Sequence, residues 1–237
     1  MATTTILNKR DDVLFGPKSL PVKVTGMQSM ASKMWIAFLG MGLMIVVASF
    51  IIGLVNSGAA ADYFTASEIT REAAATGSAL ATNKAFIEST KIWLPALKFL
   101  GLGMMLGGVT FLRATILGAL RTGGGRVQEA LGAEVRIIKP PMTAKAFPML
   151  MMTGMMILVV ALIISIPTAS LAYSYWDHSI ATQLNPALEG SGLLANLGTI
   201  TTIKLWLEPL KFVGMAFMFS GIGLALATIA ETARVRL

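Results

Sequence analysis

The chain has 237 residues, of which 55% are hydrophobic and 13% are charged, and its formal net charge is +7. A soluble domain carries about 25% charged residues, so this chain has too little polar surface to coat a globule in water. The composition excludes an ordinary soluble enzyme, a disordered protein and a nucleic-acid-binding domain, and it indicates an integral membrane protein.

The chain contains no cysteine and one histidine, His178. Disulfides and thiolate metal sites are excluded because both require cysteine. A di-iron or bis-histidine haem centre cannot be built from one histidine of a single chain. We therefore predict no cofactor, no catalytic residue and no enzymatic activity. His178 is interpreted as a surface residue, and a metal site that His178 and Asp177 share with another subunit is the open alternative.

Four apolar stretches follow a polar N-terminal tail that lacks the apolar core of a cleaved signal peptide. Each is at least as long as the roughly 20 residues that a membrane-spanning helix needs. They cover residues 34–55, 93–120, 147–172 and 205–230. The second is interrupted by Lys98 and Arg113, whose long side chains can reach the headgroups by snorkelling. The sequence predicts an all-α integral membrane protein with four transmembrane helices.

The segments between these stretches contain turn and capping signals. Residues 56–92 and 176–203 are expected to be outer loops. Within the first, Thr65-Ala-Ser-Glu68 matches a capping box that begins a short helix. In the second, Asn185-Pro186 indicates a turn. Gly123-Gly124-Gly125, after the second span, is expected to end that helix.

The distribution of Lys and Arg predicts the orientation. Twelve of the 19 lie in the N-terminal tail, the middle loop and the C-terminal tail. Four lie in the other two loops. Because cytoplasmic loops carry the excess of basic residues, both termini and the middle loop are predicted to be cytoplasmic. We expect a multi-pass protein of the inner cell membrane.

The second half of the chain repeats the first. Shifted by 113 positions, residues 91–121 match residues 204–234 at 13 of 31 positions. The earlier parts match more weakly, through three short segments. These are Met30–Lys33 with Met142–Lys145, Val46-Val47-Ala48 with Val159-Val160-Ala161, and Gly77-Ser78 with Gly190-Ser191.

This match predicts two tandem two-helix repeats inserted with the same topology, a parallel duplication. The chain then divides into a tail (1–33), a first repeat (34–121), a cytoplasmic linker (122–146) and a second repeat (147–237). We expect a four-helix bundle in which a pseudo-two-fold axis along the membrane normal relates the repeats.

Small residues at helical spacing identify candidate packing faces, because helices in lipid associate through them. Two interpretations are open: packing within the bundle, or contact with another subunit. The candidates are Gly103, Gly107, Ala216, Ser220, Gly223 and Ala227.

Four charged residues lie within the predicted spans, where charge is expensive and marks candidate function. Lys98 and Lys211 occupy the same place in the two repeats. They could line an anion path or bind lipid phosphate, or they could anchor the helices at the interface. Glu208, three residues before Lys211, is placed to pair with it. Arg113 has no charged counterpart and is interpreted as a snorkelling residue.

The third span is rich in methionine. Met151 with Met155, and Met152 with Met156, are spaced four residues apart and so share helix faces. Soft thioethers are ligands for Cu(I), so copper binding is one interpretation. Methionine is also a flexible apolar filler, so packing is the other.

These observations favour a non-catalytic integral membrane subunit that stabilises or positions a larger membrane complex, for example a respiratory or oxidising enzyme. Its expected partners are membrane lipids and either other integral membrane subunits or further copies of itself, with no nucleic acid. The alternatives are a small transporter or channel with an anion path near Lys98 and Lys211, and copper handling by the third span.

Overall fold

The computed structural model describes residues 15–16, 26–130, 137–138 and 142–236. Two-residue strands, β1 (Phe15–Gly16) and β2 (Ile137–Ile138), pair antiparallel, and a 3-10 turn covers Pro186–Leu188. All other regular structure in the described residues is α-helical. The helices are α1 (Gly26–Thr65), α2 (Glu68–Glu72), α3 (Ala79–Ala130), α4 (Met142–Trp176), α5 (Ile180–Gln183) and α6 (Gly192–Arg236).

Four of these helices are long and apolar enough to cross a membrane, so the chain is a multi-pass, all-α membrane protein as predicted. The described residues leave out most of the tail before α1 and part of the linker between α3 and α4. Many of the basic residues that predict the orientation lie in these two segments. The candidate spans are Lys33–Thr65, Ala79–Arg113, Ala146–Trp176 and Gly192–Glu231.

The helices are longer than the sequence predicted. Residues 56–92 were expected to be a loop, which is wrong for most of them because α1 continues to Thr65 and α3 begins at Ala79. This stretch is rich in alanine, the strongest helix former, which explains its helicity. The glycine triplet at 123–125 does not end α3, which continues to Ala130.

Each outer loop contains a short helix, α2 in the first and α5 in the second, and α2 confirms the short helix predicted in the first loop. Each opens on a serine whose hydroxyl oxygen accepts a backbone N–H at 3.2 Å: Ser67 from Thr70, and Ser179 from Thr182. The cap of α2 is Ser67 and not Thr65, because the Thr65 hydroxyl donates to carbonyls of its own helix.

The described residues fall into two compact units. The loop unit comprises Met41–Gly103 and Gly154–Met215. The terminal unit comprises the described residues of Met1–Gly40, Met104–Thr153 and Ala216–Leu237. Each long helix contributes a segment to both.

In the loop unit, glycines bring the two helices of each repeat together. A Cβ on Gly101 of α3 would lie 2.9 Å from Cγ2 of Ile45 in α1. A Cβ on Gly214 of α6 would lie 2.9 Å from Cδ2 of Leu158 in α4. Each repeat is therefore a helical hairpin closed by a small residue, as helix association in lipid favours.

The terminal unit shows the same construction. A Cβ on Gly108 would lie 2.9 Å from the backbone nitrogen of Leu39. A Cβ on Gly221 would lie 2.8 Å from Cγ of Met151. A glycine thus sits at the helix contact of each repeat in this unit as well.

In the first helices, the structural equivalence of the repeats agrees with the match of Met30 to Met142 and differs by one residue from the match of Val46 to Val159. Gly101 faces the carbonyl of Gly42, and Gly214 faces that of Gly154. The second helices therefore correspond at a shift of 113 and the first helices at 112. The pairing of Val46 with Val159 is wrong by one position, because the second loop contains one extra residue.

Two further pairs support this equivalence. Tyr63 and Phe64 pack edge to face at 5.1 Å, and Tyr175 and Trp176, at a shift of 112, do so at 5.0 Å. Beyond the extra residue, Gly77 and Gly190 both have left-handed backbone conformations, with φ of 72° and 74°. The predicted match of Gly77 with Gly190 is thus confirmed.

Within the loop unit, the second repeat packs on the first through α4 and α3. Ile92 of α3 shares a buried cluster with Ala169 and Ala172 of α4. A two-fold axis would bury the equivalent surfaces of α1 and α6 as well. The residue of α6 equivalent to Ile92 is Leu205, which is 76% exposed against 3% for Ile92. The contact of α3 with α4 is therefore head to tail and does not follow the expected pseudo-two-fold relation. The equivalent residues Phe99 of α3 and Phe212 of α6 do pack on each other, with ring centres 5.3 Å apart.

Candidate functional site

The two repeated lysines of the loop unit have different environments. Lys98 is exposed, whereas Lys211 is only 3% exposed. Pro95 and Pro209 lie within a turn before them and remove a helical N–H donor from each helix. A charged group that is buried within a membrane span is costly, so Lys211 is the stronger functional candidate. The anion path near Lys98 and Lys211 remains a prediction.

Glu208 is exposed, and the ion pairs of the described residues do not include it. Those pairs join the Glu88 carboxylate to Lys84 at 3.4 Å and to Lys91 at 2.8 Å. The expected pairing with Lys211 is therefore not formed within 4 Å.

Arg113 makes a specific contact in the terminal unit. Its guanidinium donates a hydrogen bond to the backbone carbonyl of Ile222 in α6 at 3.2 Å. The sequence analysis interpreted Arg113 as a snorkelling residue, and that interpretation does not account for this hydrogen bond. Arg113 joins the second helices of the two repeats.

The methionines of α4 do not converge on one point. Met151 is buried against Gly221, and Met155 is half-buried. Met152 and Met156 are 67% and 64% exposed. The two predicted pairs thus lie on different faces of α4, so the four thioethers do not form a common set of copper ligands.

The small-residue candidates divide between buried and exposed positions. Gly103 and Gly107 of α3 are buried. Their equivalents in α6 are exposed, and a Cβ added to Gly223 would meet no atom within 4 Å. The exposed candidates are Ala216, Ser220, Gly223 and Ala227.

A cluster of cations and aromatic rings in the loop unit was missed by the sequence analysis. The Lys84 ammonium lies 5.4 Å from the ring centre of Tyr63 and 5.0 Å from that of Trp176. The Arg71 guanidinium lies 5.4 Å from the Tyr63 ring and 5.7 Å from that of Phe64. Such contacts stabilise by about 0.5–1 kcal/mol at exposed sites. The aromatic pairs repeated at a shift of 112 were the signal that could have identified this cluster.

Asp177 and His178 lie beside this cluster. The Asp177 carboxylate accepts a hydrogen bond from the Thr82 hydroxyl at 3.0 Å, and its carbonyl accepts the Gly77 N–H at 3.0 Å. Nδ1 of His178 lies 2.7 Å from the carbonyl oxygen of Ser174. Over the described part of the chain, no group of three His, Asp or Glu residues is arranged to hold a metal ion. The observed contacts of Asp177 are structural, since they join the loops of the two repeats.

No protein-family model matches the chain, and neither a curated protein nor a solved structure shows significant similarity to it. Any functional conclusion therefore rests on the residues and geometry described above.

Proposed function

We propose that this protein is a non-catalytic integral membrane subunit that stabilises or positions a larger membrane protein complex. The observation that carries the proposal is a pair of exposed methionines on α4. Met149 and Met152 are 71% and 67% exposed, whereas Met151 between them is buried against Gly221. Unbranched thioether side chains adapt to irregular surfaces and are frequent at binding faces, so this face suits a protein partner.

The chemistry of the spans supports the same proposal. Most polar side chains buried in the spans are Ser and Thr, and several of them bond carbonyls of their own helices: Ser49 and Thr110 are examples, at 2.7 and 2.9 Å. Such bonds satisfy these hydroxyls within their own helices. Packing against another membrane protein requires only the apolar faces that the helices present.

The test is purification of the tagged chain from its native membrane in mild detergent, with mass spectrometry of whatever accompanies it. We expect stoichiometric membrane polypeptides with the wild type and at least about a tenfold loss of them with Met149→Leu/Met152→Leu, because Leu is stiffer than Met. The matched control is Met41→Leu/Met44→Leu on α1, where the methionines are 48% and 72% exposed. A wild-type protein that purifies alone, as a monomer or simple homo-oligomer, contradicts the proposal.

A further inference from the structure

The contact between the repeats uses two different faces. On α3, the buried face consists of Ala85, Ser89, Ile92 and Ala96. On α4, the face that meets it includes Ala169 and Trp176. Ile92 and Ala169 belong to one buried cluster, and the Lys84 ammonium lies over the Trp176 ring. Because the two faces differ, the contact is heterologous.

The equivalent face of α6 is open. Ala85, Ser89, Ile92 and Ala96 are all less than 9% exposed, whereas every equivalent position on α6 is exposed. The α6 face contains two small or polar residues and a proline where a lipid-facing helix would present large apolar side chains. It consists of Gly198, Thr202, Leu205 and Pro209.

The equivalent face of α1 is open as well. Ala169 is 6% exposed and Trp176 is half-buried. Their equivalents Ser57 and Phe64 are exposed, Phe64 by 57%. These two residues define the α1 face. Within one chain, the faces of α3 and α4 thus contact each other, whereas the equivalent faces of α6 and α1 are both exposed.

We propose that a second copy of the chain docks head to tail, with the α1 face of one copy covering the α6 face of the other. The occupied contact within the chain shows what fits each face, because the α1 face is the repeat of the α4 face and the α6 face is the repeat of the α3 face. A heterologous contact of this kind closes into a ring or extends as a row.

The terminal unit, considered by itself, shows the same difference. Gly107 and Thr110 of α3 are buried there, whereas the equivalent Ser220 and Gly223 of α6 are exposed. Small residues are typical of contacts between membrane helices, where they allow close approach of the backbones. Small exposed residues of this kind on α6 would allow the helix of a second copy to approach closely.

The docked contact is more apolar than the internal one. Within the chain, the Thr82 hydroxyl bonds the Asp177 carboxylate, but the equivalent residues are Ala195 and Thr65. Lys84 over Trp176 is replaced by Leu197 and Phe64. The contact between copies therefore lacks the polar bonds that fix the internal one, so it is weaker and reversible. It is independent of the proposed function, which rests on the α4 methionines.

The absence of native cysteine allows a direct test by disulfide cross-linking. Thr65→Cys and Ala195→Cys are placed singly on differently tagged chains, which are co-expressed and oxidised in the membrane. We expect mixed dimers about tenfold or more above the level of either variant expressed alone, because a disulfide needs Cα atoms within about 7 Å. Ser57→Cys with Leu205→Cys is a second pair at the equivalents of Ala169 and Ile92, and it should cross-link as well.

The matched control is Thr65→Cys with Thr201→Cys, which lies on the same helix about 9 Å beyond Ala195 and is also exposed. This pair should give only the background level. The proposal is overturned if both predicted pairs stay at background in chains that elute as folded protein, if the Thr201 pair cross-links equally, or if Thr65→Cys is captured by a different polypeptide. None of these results bears on the co-purification test of the α4 methionines.

Discussion

Helices α3 and α6 come from one repeated sequence, yet their environments differ. Both use a glycine to pack on the first helix of their own repeat, Gly101 and Gly214 in the loop unit. The face of α3 that carries Ile92 also packs on α4 of the other repeat, whereas the equivalent face of α6 is exposed. The first helices differ in the same way, since Ala169 of α4 is 6% exposed whereas the equivalent Ser57 of α1 is exposed. The comparison teaches that a duplicated hairpin arranged head to tail leaves one copy of each contact face unused.

The largest effect expected from this difference concerns Ile92 and its equivalent Leu205. Ile92→Ala removes a side chain that is 3% exposed and should destabilise the chain by about 2–5 kcal/mol. Leu205→Ala, at 76% exposure, should change stability by no more than about 0.5 kcal/mol in monomeric protein. Unfolding by denaturing detergent measures both. Equal losses would mean that the two helices are equally packed.

A smaller effect is expected at the loops. Asp177→Ala removes the acceptor of the Thr82 hydroxyl and should cost about 1–2 kcal/mol. Thr65→Ala, at the equivalent position of α1, loses only hydroxyl contacts to carbonyls of its own helix and should cost about 0.5 kcal/mol or less. The same unfolding assay applies. A Thr65 effect as large as that of Asp177 would indicate a second contact between the loops and would contradict the head-to-tail arrangement.

Hydrophobic segments and the repeat could be read from the sequence because they depend on composition and local identity. Helix ends could not, because alanine-rich segments such as residues 59–61 extend α1 beyond its apolar core. The one-residue change of register between Gly42 and Gly101 could not be decided from the sequence, because the weak matches of the first helices gave two shifts, 112 at Met30 and 113 at Val46. It follows from contacts, and those depend on packing.

The environments of equivalent residues could not be predicted for a physical reason. Lys98 and Lys211 have nearly the same sequence neighbours, but one is exposed and the other is buried. Burial depends on which faces meet, and a tandem repeat presents the same face twice. The cation–aromatic cluster around Lys84 escaped prediction because its members are distant in sequence, with Tyr63 in α1 and Trp176 in α4.

The head-to-tail packing of the two repeats is tested most directly by disulfide formation within a single chain. The double variant Thr82→Cys/Asp177→Cys replaces side chains whose oxygens are 3.0 Å apart, and Thr65→Cys/Ala195→Cys places cysteines at the equivalent positions. With the chains diluted in detergent to the monomeric state, oxidation should give an intramolecular disulfide in the first variant and none in the second. An intramolecular disulfide in both variants, or in neither, would contradict the arrangement.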